Sequence, residues 1–382
     1  MKKITLAASA ISVIAASTSA QAQSTVTLYG LLDVGIGYVK TTSGNSYQML
    51  SGNLQGSRWG LKGQEDLGGG LKAIFQLENG YSVATGKLGQ GGREFGRQAT
   101  VGLTSASWGT VKLGRSYDAT VDLVQGVTGD LYGAVFSTPA NVDNNDNSMR
   151  VSNQIKYISP NYAGLQFEAQ YALGGAAGAV GQGYTYSAGA AYTHGALSVA
   201  AAYFQATNPN PDAAKRSGWT STTADSILNG ASITAGYGTA HTIAISQVAG
   251  QYVIGPMTVG VGYSNTLFKA DGFSTFNSTQ KFNTGRAFIG YQVTPAITTA
   301  IGYAYTSATG NASAHYNQIS AASMYALSKR TDVYAVAGYQ RASGEQRTAA
   351  GGIQSALASV GDYGVDGTKD QTIAIVGIRH KF

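Results

Sequence analysis

The amino-acid sequence predicts an all-β fold, a transmembrane antiparallel β-barrel of sixteen strands. Apolar residues alternate with polar or small residues in sixteen segments, as they do in strands that have two different faces. Many of these segments reach the roughly 9 to 11 residues that a tilted strand needs to cross a bilayer. Because lipid cannot bond to backbone N–H and C=O groups, a sheet in a membrane must close on itself. These observations predict a barrel rather than an open sheet.

The first residues predict a signal peptide at 1–22. Lys2 and Lys3 precede an apolar stretch, and Ala20–Ala22 provides a cleavage site of small residues. The apolar stretch is shorter than the roughly 17 to 25 residues of a membrane-spanning helix. Residues 23–382 are therefore the predicted barrel domain.

The first predicted strand shows the alternation clearly. Val26, Leu28 and Ile36 share one face, whereas Thr27 and Asp33 share the other. The same period of two marks the remaining segments. The predicted strands cover residues 24–39, 50–65, 71–81, 94–104, 109–117, 150–159, 164–174, 184–193, 196–206, 240–254, 257–268, 281–293, 297–307, 313–327, 331–342 and 371–382.

The connections between predicted strands alternate between short turns and mostly longer loops, which is typical of outer-membrane barrels. Short turns are expected at 67–70, 105–108, 160–163, 194–195, 255–256, 294–296 and 328–330. Longer loops are expected at 40–49, 82–93, 118–149, 175–183, 207–239, 269–280 and 343–370. A barrel of roughly sixteen to eighteen strands is too wide for side chains to fill, so a water-filled pore is predicted.

Composition and charge argue against several other functions. The chain contains 25 Lys and Arg and 19 Asp and Glu, spread along its length and not gathered into a nucleic-acid-binding arm. Its four histidines are scattered without neighbours at metal-ligand spacing, so neither an enzyme nor a metal site is predicted. No cofactor is expected. The run Asp143–Asn147 offers oxygen ligands suited to Ca²⁺, but it lacks EF-hand spacing, and a solvated polar turn is the favoured interpretation.

The end of the chain carries a recognisable feature. Residues 376–382 alternate and finish with Phe382, and this ending resembles the C-terminal signal that delivers Gram-negative barrels to the barrel-assembly machinery. Longer stretches resemble one family, the general porins of the neisserial and betaproteobacterial type. The matching stretches are STVTLYGLLDVG (24–35), GSRWGLKGQEDLGGGLKAIFQLENG (56–80), RQATVGLTSASWGTVKLGRSYD (97–118), NQIKYISPNYAG (153–164), AHYNQIS (314–320), LSKRTDVYA (327–335) and VGIRHKF (376–382).

The resemblance has several implications. It implies a homotrimer in the outer membrane of a Gram-negative bacterium, in contact with membrane lipid and lipopolysaccharide. It also implies that the third long loop folds into the lumen of each sixteen-stranded barrel. Two positions depart from the family, because Lys156 stands where Arg is common and Ser116 where Gln is common. Lys keeps the charge but lacks the planar fork of Arg.

The third long connection, 118–149, is a candidate constriction. It is far longer than a hairpin loop of about 2 to 5 residues, and such loops are usually functional or disordered. It contains Asp118, Asp122 and Asp130 but no Lys or Arg, and its apolar residues suggest that it packs. We therefore expect an acidic loop that narrows the pore.

Basic side chains are expected on the wall opposite this loop. Alternation places Arg58, Lys62 and Lys156 on the inner face, next to apolar neighbours that face outward. The family resemblance adds Arg97 and Arg115, although strict alternation would put Arg115 on the outer face unless a bulge intervenes. Acids opposite bases would produce a transverse field that sets ion preference in a narrow passage.

The sequence therefore predicts a general diffusion porin, through which ions and small hydrophilic solutes pass down their gradients. One alternative is a solute-specific channel with an inner line of aromatic side chains, for which Tyr29 and Tyr334 are the inward candidates. Another is an adhesive or structural barrel with a blocked lumen, acting through loops such as 207–239 and 343–370.

Overall fold

The computed structural model describes residues 25–175, 177–178, 182–208 and 232–382, and the predicted signal peptide lies outside them. The strands are β1 Thr25–Thr41, β2 Gly44–Ser51, β3 Arg58–Gly68, β4 Leu71–Gly80, β5 Gln98–Ser105, β6 Gly109–Ser116, β7 Val151–Ile158, β8 Leu165–Ala172, β9 Thr185–His194, β10 Leu197–Thr207, β11 Thr242–Ile254, β12 Met257–Lys269, β13 Gln280–Thr294, β14 Ile297–Thr309, β15 Ala314–Ala326, β16 Thr331–Arg347, β17 Ile353–Ser355 and β18 Asp370–Lys381. Among the described residues, no helix is both long and apolar enough to span a membrane.

The sheet is closed and antiparallel. Each strand pairs with its neighbours, and β1 completes the circle by pairing with β18. The closing register runs from Leu31 opposite Lys381 to Val39 opposite Ile373. A closed sheet leaves no edge strand with unpaired backbone groups. The prediction of a closed antiparallel barrel is confirmed.

Strand β1 has two successive partners on its other edge. Its first part, 25–31, pairs with β3, and its second part, 34–41, pairs with β2. β2 and β3 therefore form a single strand of the wall, interrupted at Gly52–Ser57. β17 pairs only with β16, outside the wall. The eighteen segments of the described residues thus form a barrel of sixteen strands, as predicted.

One predicted connection is wrong. Residues 40–49 were expected to form a long loop, but β1 runs to Thr41 and β2 begins at Gly44. The polar residues of this stretch look like a loop in the sequence, yet their backbone groups pair in a ladder that ends with Thr41 opposite Gly44. The irregular segment lies instead at Gly52–Ser57.

The Gly52–Ser57 bend is held by one buried carboxylate. Asp33 is fully buried, and its Oδ2 atom accepts hydrogen bonds from the backbone N–H groups of Leu54 and Gln55, both at 2.8 Å. The Tyr334 hydroxyl donates to Oδ1 of the same carboxylate at 2.6 Å. These bonds satisfy backbone groups that the ladder leaves unpaired.

The two faces of the wall have opposite surroundings. On β15, Tyr316, Gln318 and Ser320 are buried, whereas Ile319 between them is 51% exposed. Large apolar side chains face outward on other strands as well, as with Ile36, which is 68% exposed. An apolar outer face suits a barrel surrounded by lipid. The buried inner face requires that chain segments fill part of the lumen.

Residues 117–150, which we call loop 3, occupy the lumen as predicted. Gln318 of β15 donates to the carbonyl oxygens of Val135 and Ser137, each at 2.8 Å. From another side of the wall, the Ser187 hydroxyl accepts a hydrogen bond from the Ala119 backbone N–H at 3.0 Å. Loop 3 forms five short helical turns, Thr120–Val124, Gln125–Val127, Gly129–Tyr132, Ala134–Phe136 and Pro139–Asn141.

The long-loop end of the lumen is filled on the side of β10 to β16. Ile233 and Tyr237, from the connection between β10 and β11, are fully buried there. The Tyr237 ring lies 5.7 Å from the Phe268 ring and 6.2 Å from the Phe282 ring, measured between centroids. Ala358, from the connection between β16 and β18, belongs to the same apolar cluster.

Candidate functional site

A cavity of about 330 Å³ lies between loop 3 and the wall near the Gly52–Ser57 bend. Five charged residues line it, and four of them are predicted constriction residues. The charged residues are Arg58, Arg97, Asp122, Asp130 and Asp146. Cations from the wall and carboxylates from the loop therefore meet in one narrow space.

Arg58 is the first residue of β3, directly after the bend. Its Nε atom donates to the Gly56 carbonyl at 2.8 Å, which holds the side chain at the cavity. No carboxylate of the described residues lies within ion-pair distance of it. Its charge therefore faces the lumen without a direct counterion.

Arg97 lines the same cavity but is paired. Its Nε atom donates to Oε1 of Glu78 at 2.9 Å, and Nη2 donates to the Tyr117 hydroxyl at 2.7 Å. Both members of the ion pair are at most 4% exposed. A Cβ atom on Gly56 would lie 2.9 Å from Nη1 of Arg97, so a larger residue there would require the guanidinium to shift. Glu78 neutralises most of the charge that Arg97 contributes.

Lys156 of β7 contacts the first residues of loop 3, Tyr117 and Asp122. Its Nζ atom forms ion pairs with Asp122 of loop 3 and, at 3.2 Å, with Glu168 of β8. The Lys156 side chain is 1% exposed. One ammonium group thus holds a loop carboxylate against the wall.

Lys62 lies further towards the short turns, where a second cavity of about 410 Å³ opens. Its Nζ atom lies 5.2 Å from the centroid of the Tyr29 ring, an arrangement that favours a cation. Lys112 of β6 lines this cavity too. Lys112 is not among the predicted constriction residues, although its alternation with outward Leu113 is a signal that identifies it as inward.

Arg115 does not reach either cavity. It is 7% exposed, and its guanidinium donates to the Gly96 carbonyl at 2.8 Å and to the Ser152 hydroxyl at 2.7 Å. The register between β6 and β7 does shift between Gly114 and Ser116, as the alternation required. Arg115 is thus buried among neighbouring segments and lines neither cavity.

The three predicted loop acids have different surroundings. Asp118 is fully buried and does not line the cavity; its Oδ1 atom accepts the Thr120 N–H at 2.8 Å, and Oδ2 accepts from Asn144 at 3.0 Å. Asp118 therefore joins the two ends of loop 3 by hydrogen bonds. Asp122 is bonded to Lys156, whereas Asp130 accepts only from Gln125, at 2.5 Å. Asp118 and Asp130 thus both lack a basic partner, and of the two only Asp130 lines the cavity.

Burial changes the protonation of Asp130. Removal from water raises its pKa, and the nearby carboxylates of Asp143 and Asp362 raise it further, to about 7, despite the opposing effects of Gln125 and Arg286. Burial likewise holds the pKa of Asp146 well above its usual range. Near neutral pH, a fraction of these two carboxyl groups of loop 3 is therefore protonated and uncharged.

Arg286 of β13 was not selected from the sequence. Its guanidinium forms an ion pair with Asp143, which is fully buried in loop 3. The Thr138 hydroxyl donates to Asp143 Oδ1 at 2.8 Å. Asp143, which was considered as a Ca²⁺ ligand, thus anchors loop 3 to the wall. Alternation along β13 gave no sign of this partner, because the contact joins segments far apart in the chain.

The inward tyrosines are structural. The Tyr334 hydroxyl is bonded to Asp33, and its side chain is 3% exposed. The Tyr29 hydroxyl donates to Glu78 at 2.9 Å and accepts from Gln76 at 2.6 Å. These two rings do not form an exposed aromatic line along the lumen.

The fold and the cavity define a class, a sixteen-stranded membrane barrel whose lumen is narrowed by its third long loop. A family model described as Gram-negative porin matches residues 7–345. The chain belongs to this family. Membership places it in the outer membrane of a Gram-negative bacterium, with short turns on the periplasmic side and long loops outside.

Two curated relatives illustrate the similarity. An outer membrane porin protein of Bordetella pertussis is 40% identical over 191 residues, which cover 45% of this chain and 48% of that protein. The chain therefore matches about half the length of this relative. Major outer membrane protein P.IB of Neisseria lactamica is 28% identical over 379 residues, covering 94% of this chain and 95% of that protein.

A solved structure is similar over the whole barrel. The anion-selective porin from Comamonas acidovorans superposes with a TM-score of 0.69 at 25% identity, covering 94% of this chain and all of that one. A trimer form of OmpT from Vibrio cholerae, at 16% identity and a TM-score of 0.64, shares the fold.

Proposed function

We propose that this protein is a general diffusion porin, which lets ions and small hydrophilic solutes cross the outer membrane passively and favours anions. The observation that carries the proposal is the imbalance of free charge along the lumen. Arg58, Lys62 and Lys112 line the two cavities without an ion pair to any described carboxylate. The loop acid Asp122 is paired, and Asp130 is partly protonated near neutral pH.

The positions of Lys62 and Lys112 on nearby strands support a route for anions along one side of the barrel wall. In the ladders, Lys62 lies opposite Gln76, Gln76 lies opposite Thr100, and Lys112 lies opposite Gly102, two residues from Thr100. Neighbouring strands are roughly 4.8 Å apart, so the two lysines stand within about 15 Å of each other at the backbone. An anion that passes Arg58 meets further positive charge instead of open solvent, which lowers its energy along the narrow part of the lumen.

Three partner assignments belong to the same proposal. We propose that the protein forms a homotrimer, that its outer surface contacts membrane lipid and lipopolysaccharide, and that Phe382 is recognised by the barrel-assembly machinery. The name of the Comamonas acidovorans structure, an anion-selective porin, and the trimer form of OmpT support the first assignment and the ion preference by analogy. When copies of one chain associate, a closed symmetric oligomer is the general expectation.

The alternative functions have weaker support. A solute-specific channel needs an accessible inner aromatic line, whereas Tyr334 is bonded to Asp33 and buried. An adhesive or structural barrel is favoured by the apolar cluster that fills one side of the lumen around Tyr237. The open cavities at Arg58 and Lys62 favour a channel.

The test is single-channel recording of the purified, unheated protein in a planar bilayer under a KCl gradient. We expect ohmic steps grouped in threes and a reversal potential of the sign given by chloride preference. Silent channels would point to a blocked barrel that acts through its loops. Conductance that saturates with one solute would point to a specific channel, and a reversal potential of the opposite sign would refute the anion preference.

A further inference from the structure

The Gly52–Ser57 bend lies where β1 changes its partner strand. β1 pairs first with β3 and then with β2, and Asp33 lies between the two ladders. The backbone of Asp33 therefore serves the bend instead. Its N–H donates to the Ser57 hydroxyl at 3.0 Å, and its carbonyl oxygen accepts the Gly52 N–H at 2.9 Å. Both ends of the bend are thus fixed to one residue of β1.

The Asp33 carboxylate fixes the middle of the same bend. It accepts the N–H groups of Leu54 and Gln55 on one oxygen and the Tyr334 hydroxyl on the other. The Tyr334 oxygen in turn accepts a hydrogen bond from Nδ2 of Asn53 at 2.9 Å. An alkyl side chain in place of this fully buried carboxylate would leave buried donors without an acceptor, which is costly in the interior.

Loop 3 contacts this bend directly. The Ala134 N–H donates to the Asn53 carbonyl at 2.9 Å. The backbone of Gly133 comes so close that a Cβ atom there would lie 2.9 Å from the same carbonyl oxygen. Leu54 belongs to one apolar cluster with Phe136 of the loop. The position of this part of loop 3 therefore depends on the position of the bend.

The bend also forms one side of the cavity of about 330 Å³. Leu54, Gln55 and Gly56 line it together with Arg58, which donates to the Gly56 carbonyl. Apart from Arg97, the other lining residues belong to loop 3. The width of this passage is therefore the distance between the bend and the loop.

We infer that Asp33 is a positioning residue for the constriction: its carboxylate fixes the bend, and the bend holds loop 3 and Arg58 at the spacing that sets the width and ion preference of the passage. Asp33 acts only through these neighbours, because it is fully buried and does not line the cavity. The inference rests on the proposed function, since a constriction matters only in an open channel, but the hold on loop 3 can be measured without any current.

The alternative is that Asp33 only stabilises the wall. The two roles differ in where the loss of the carboxylate is felt. The β1–β18 ladder runs past Asp33 without a break, so the wall keeps its backbone hydrogen bonds there. A positioning role therefore predicts a change confined to the bend and loop 3, whereas a stabilising role predicts a change throughout the barrel.

The experiment is hydrogen–deuterium exchange, followed by mass spectrometry, on the folded, purified protein. In Asp33→Ala we expect amides of residues 129–137 to exchange roughly tenfold faster, because the bend no longer fixes the Asn53 carbonyl. Amides of β12, on another part of the wall, should keep their rate. Asp33→Asn keeps an acceptor oxygen for the bend and gains a donor for the Tyr334 oxygen, so it should restore most of the protection.

Asp66→Ala is the matched control. Asp66 also uses its carboxylate to accept a backbone N–H, that of Gly68 at 2.8 Å, but it lies beside a short turn and does not line the cavity. This variant should leave the exchange of loop 3 unchanged. Single-channel currents recorded in parallel should be larger, noisier and less anion-preferring in Asp33→Ala than in the unaltered protein.

Two results would overturn the inference: unchanged exchange of loop 3 in Asp33→Ala, and equal acceleration in loop 3 and β12. If Asp33→Ala does not fold, the same comparison is made with Tyr334→Phe, which removes one donor to the carboxylate and should accelerate loop 3 exchange roughly threefold. A silent unaltered channel with selectively faster loop 3 exchange in the variant refutes only the proposed function. An open channel with unchanged exchange refutes only the role of Asp33.

Discussion

Gly30 and Phe382 join the two ends of the barrel. The Gly30 N–H donates to the Phe382 carbonyl at 3.1 Å, and the Phe382 N–H donates to the Gly30 carbonyl at 3.0 Å. A Cβ atom on Gly30 would lie 2.5 Å from Cζ of the terminal ring. The ring, together with the Arg58 carbonyl oxygen at 2.6 Å, therefore fills the space that a side chain at position 30 would need. The last residue of the chain thus fits a specific place on β1.

Replacing Gly30 with valine should impair closure of the barrel. The new side chain would displace the Phe382 ring and strain the last two hydrogen bonds of the β1–β18 ladder, so we expect less folded protein in the outer membrane. The measurement is the fraction that keeps its folded mobility on unheated gels. Gly285→Val is the matched control, because a Cβ atom at that strand position meets no atom within 4 Å. Equal folding of the two variants would show that the terminal contact is dispensable.

Arg58→Gln should weaken the preference for anions. A unit charge about 4 Å from a passing ion interacts with it by about 1 kcal/mol in a water-like medium, so the anion permeability should fall by up to about fivefold and the anion-to-cation permeability ratio should fall with it. Reversal potentials in a KCl gradient give this ratio. Arg330→Gln, on a periplasmic turn, removes a charge without touching the cavity and should leave it unchanged. Arg115→Gln should also have little effect, because Arg115 lines neither of the two cavities. A large shift for Arg115 would contradict this placement.

Gln318→Ala should loosen loop 3 without opening the wall. The substitution removes the donor to the Val135 and Ser137 carbonyls, and leaving a buried group unsatisfied costs about 1–3 kcal/mol. The ladders of β15 are backbone bonds and stay intact. We expect larger and noisier single-channel currents with unchanged resistance of the barrel to denaturation. Ser323→Ala, on the outer face of the same strand, serves as the control. Quiet currents of normal size would mean that other contacts fix the loop.

The ion preference should depend on pH through Asp130. Its pKa is raised to about 7 by burial, so the carboxyl group is neutral below that pH and negative above it. Raising the pH therefore adds negative charge to the cavity, and anion preference should fall between roughly pH 6 and 8. Asp130→Asn should abolish this dependence, whereas Asp271→Asn, in the connection between β12 and β13 and away from both cavities, should preserve it. A pH dependence that survives in Asp130→Asn would assign the titration to a neighbouring carboxylate.

Several site residues could be predicted from the sequence because a strand has a period of two. Alternation next to Trp59 and Leu61 was enough to place Arg58 and Lys62 on the inner face, and both line lumen cavities. Alternation also predicted that Arg115 could face inward only if its strand had a bulge, and the strand does contain a register shift. It failed for the hairpin at 40–49, because exposed polar residues occur both in loops and in strands that extend beyond the membrane.

The sequence alone determined the number of wall strands, their order and which side chains face outward, because these follow from local alternation and from the need to pair every backbone group in lipid. Only the tertiary structure decided which lumen charges are free. Glu78 neutralises Arg97, Asp122 and Glu168 surround Lys156, and Asp143 binds Arg286. These pairs join residues as far as 143 positions apart, and their formation depends on how loop 3 packs inside the closed barrel. The sequence determines which side chains are charged, whereas the tertiary contacts determine which counterion each of them has.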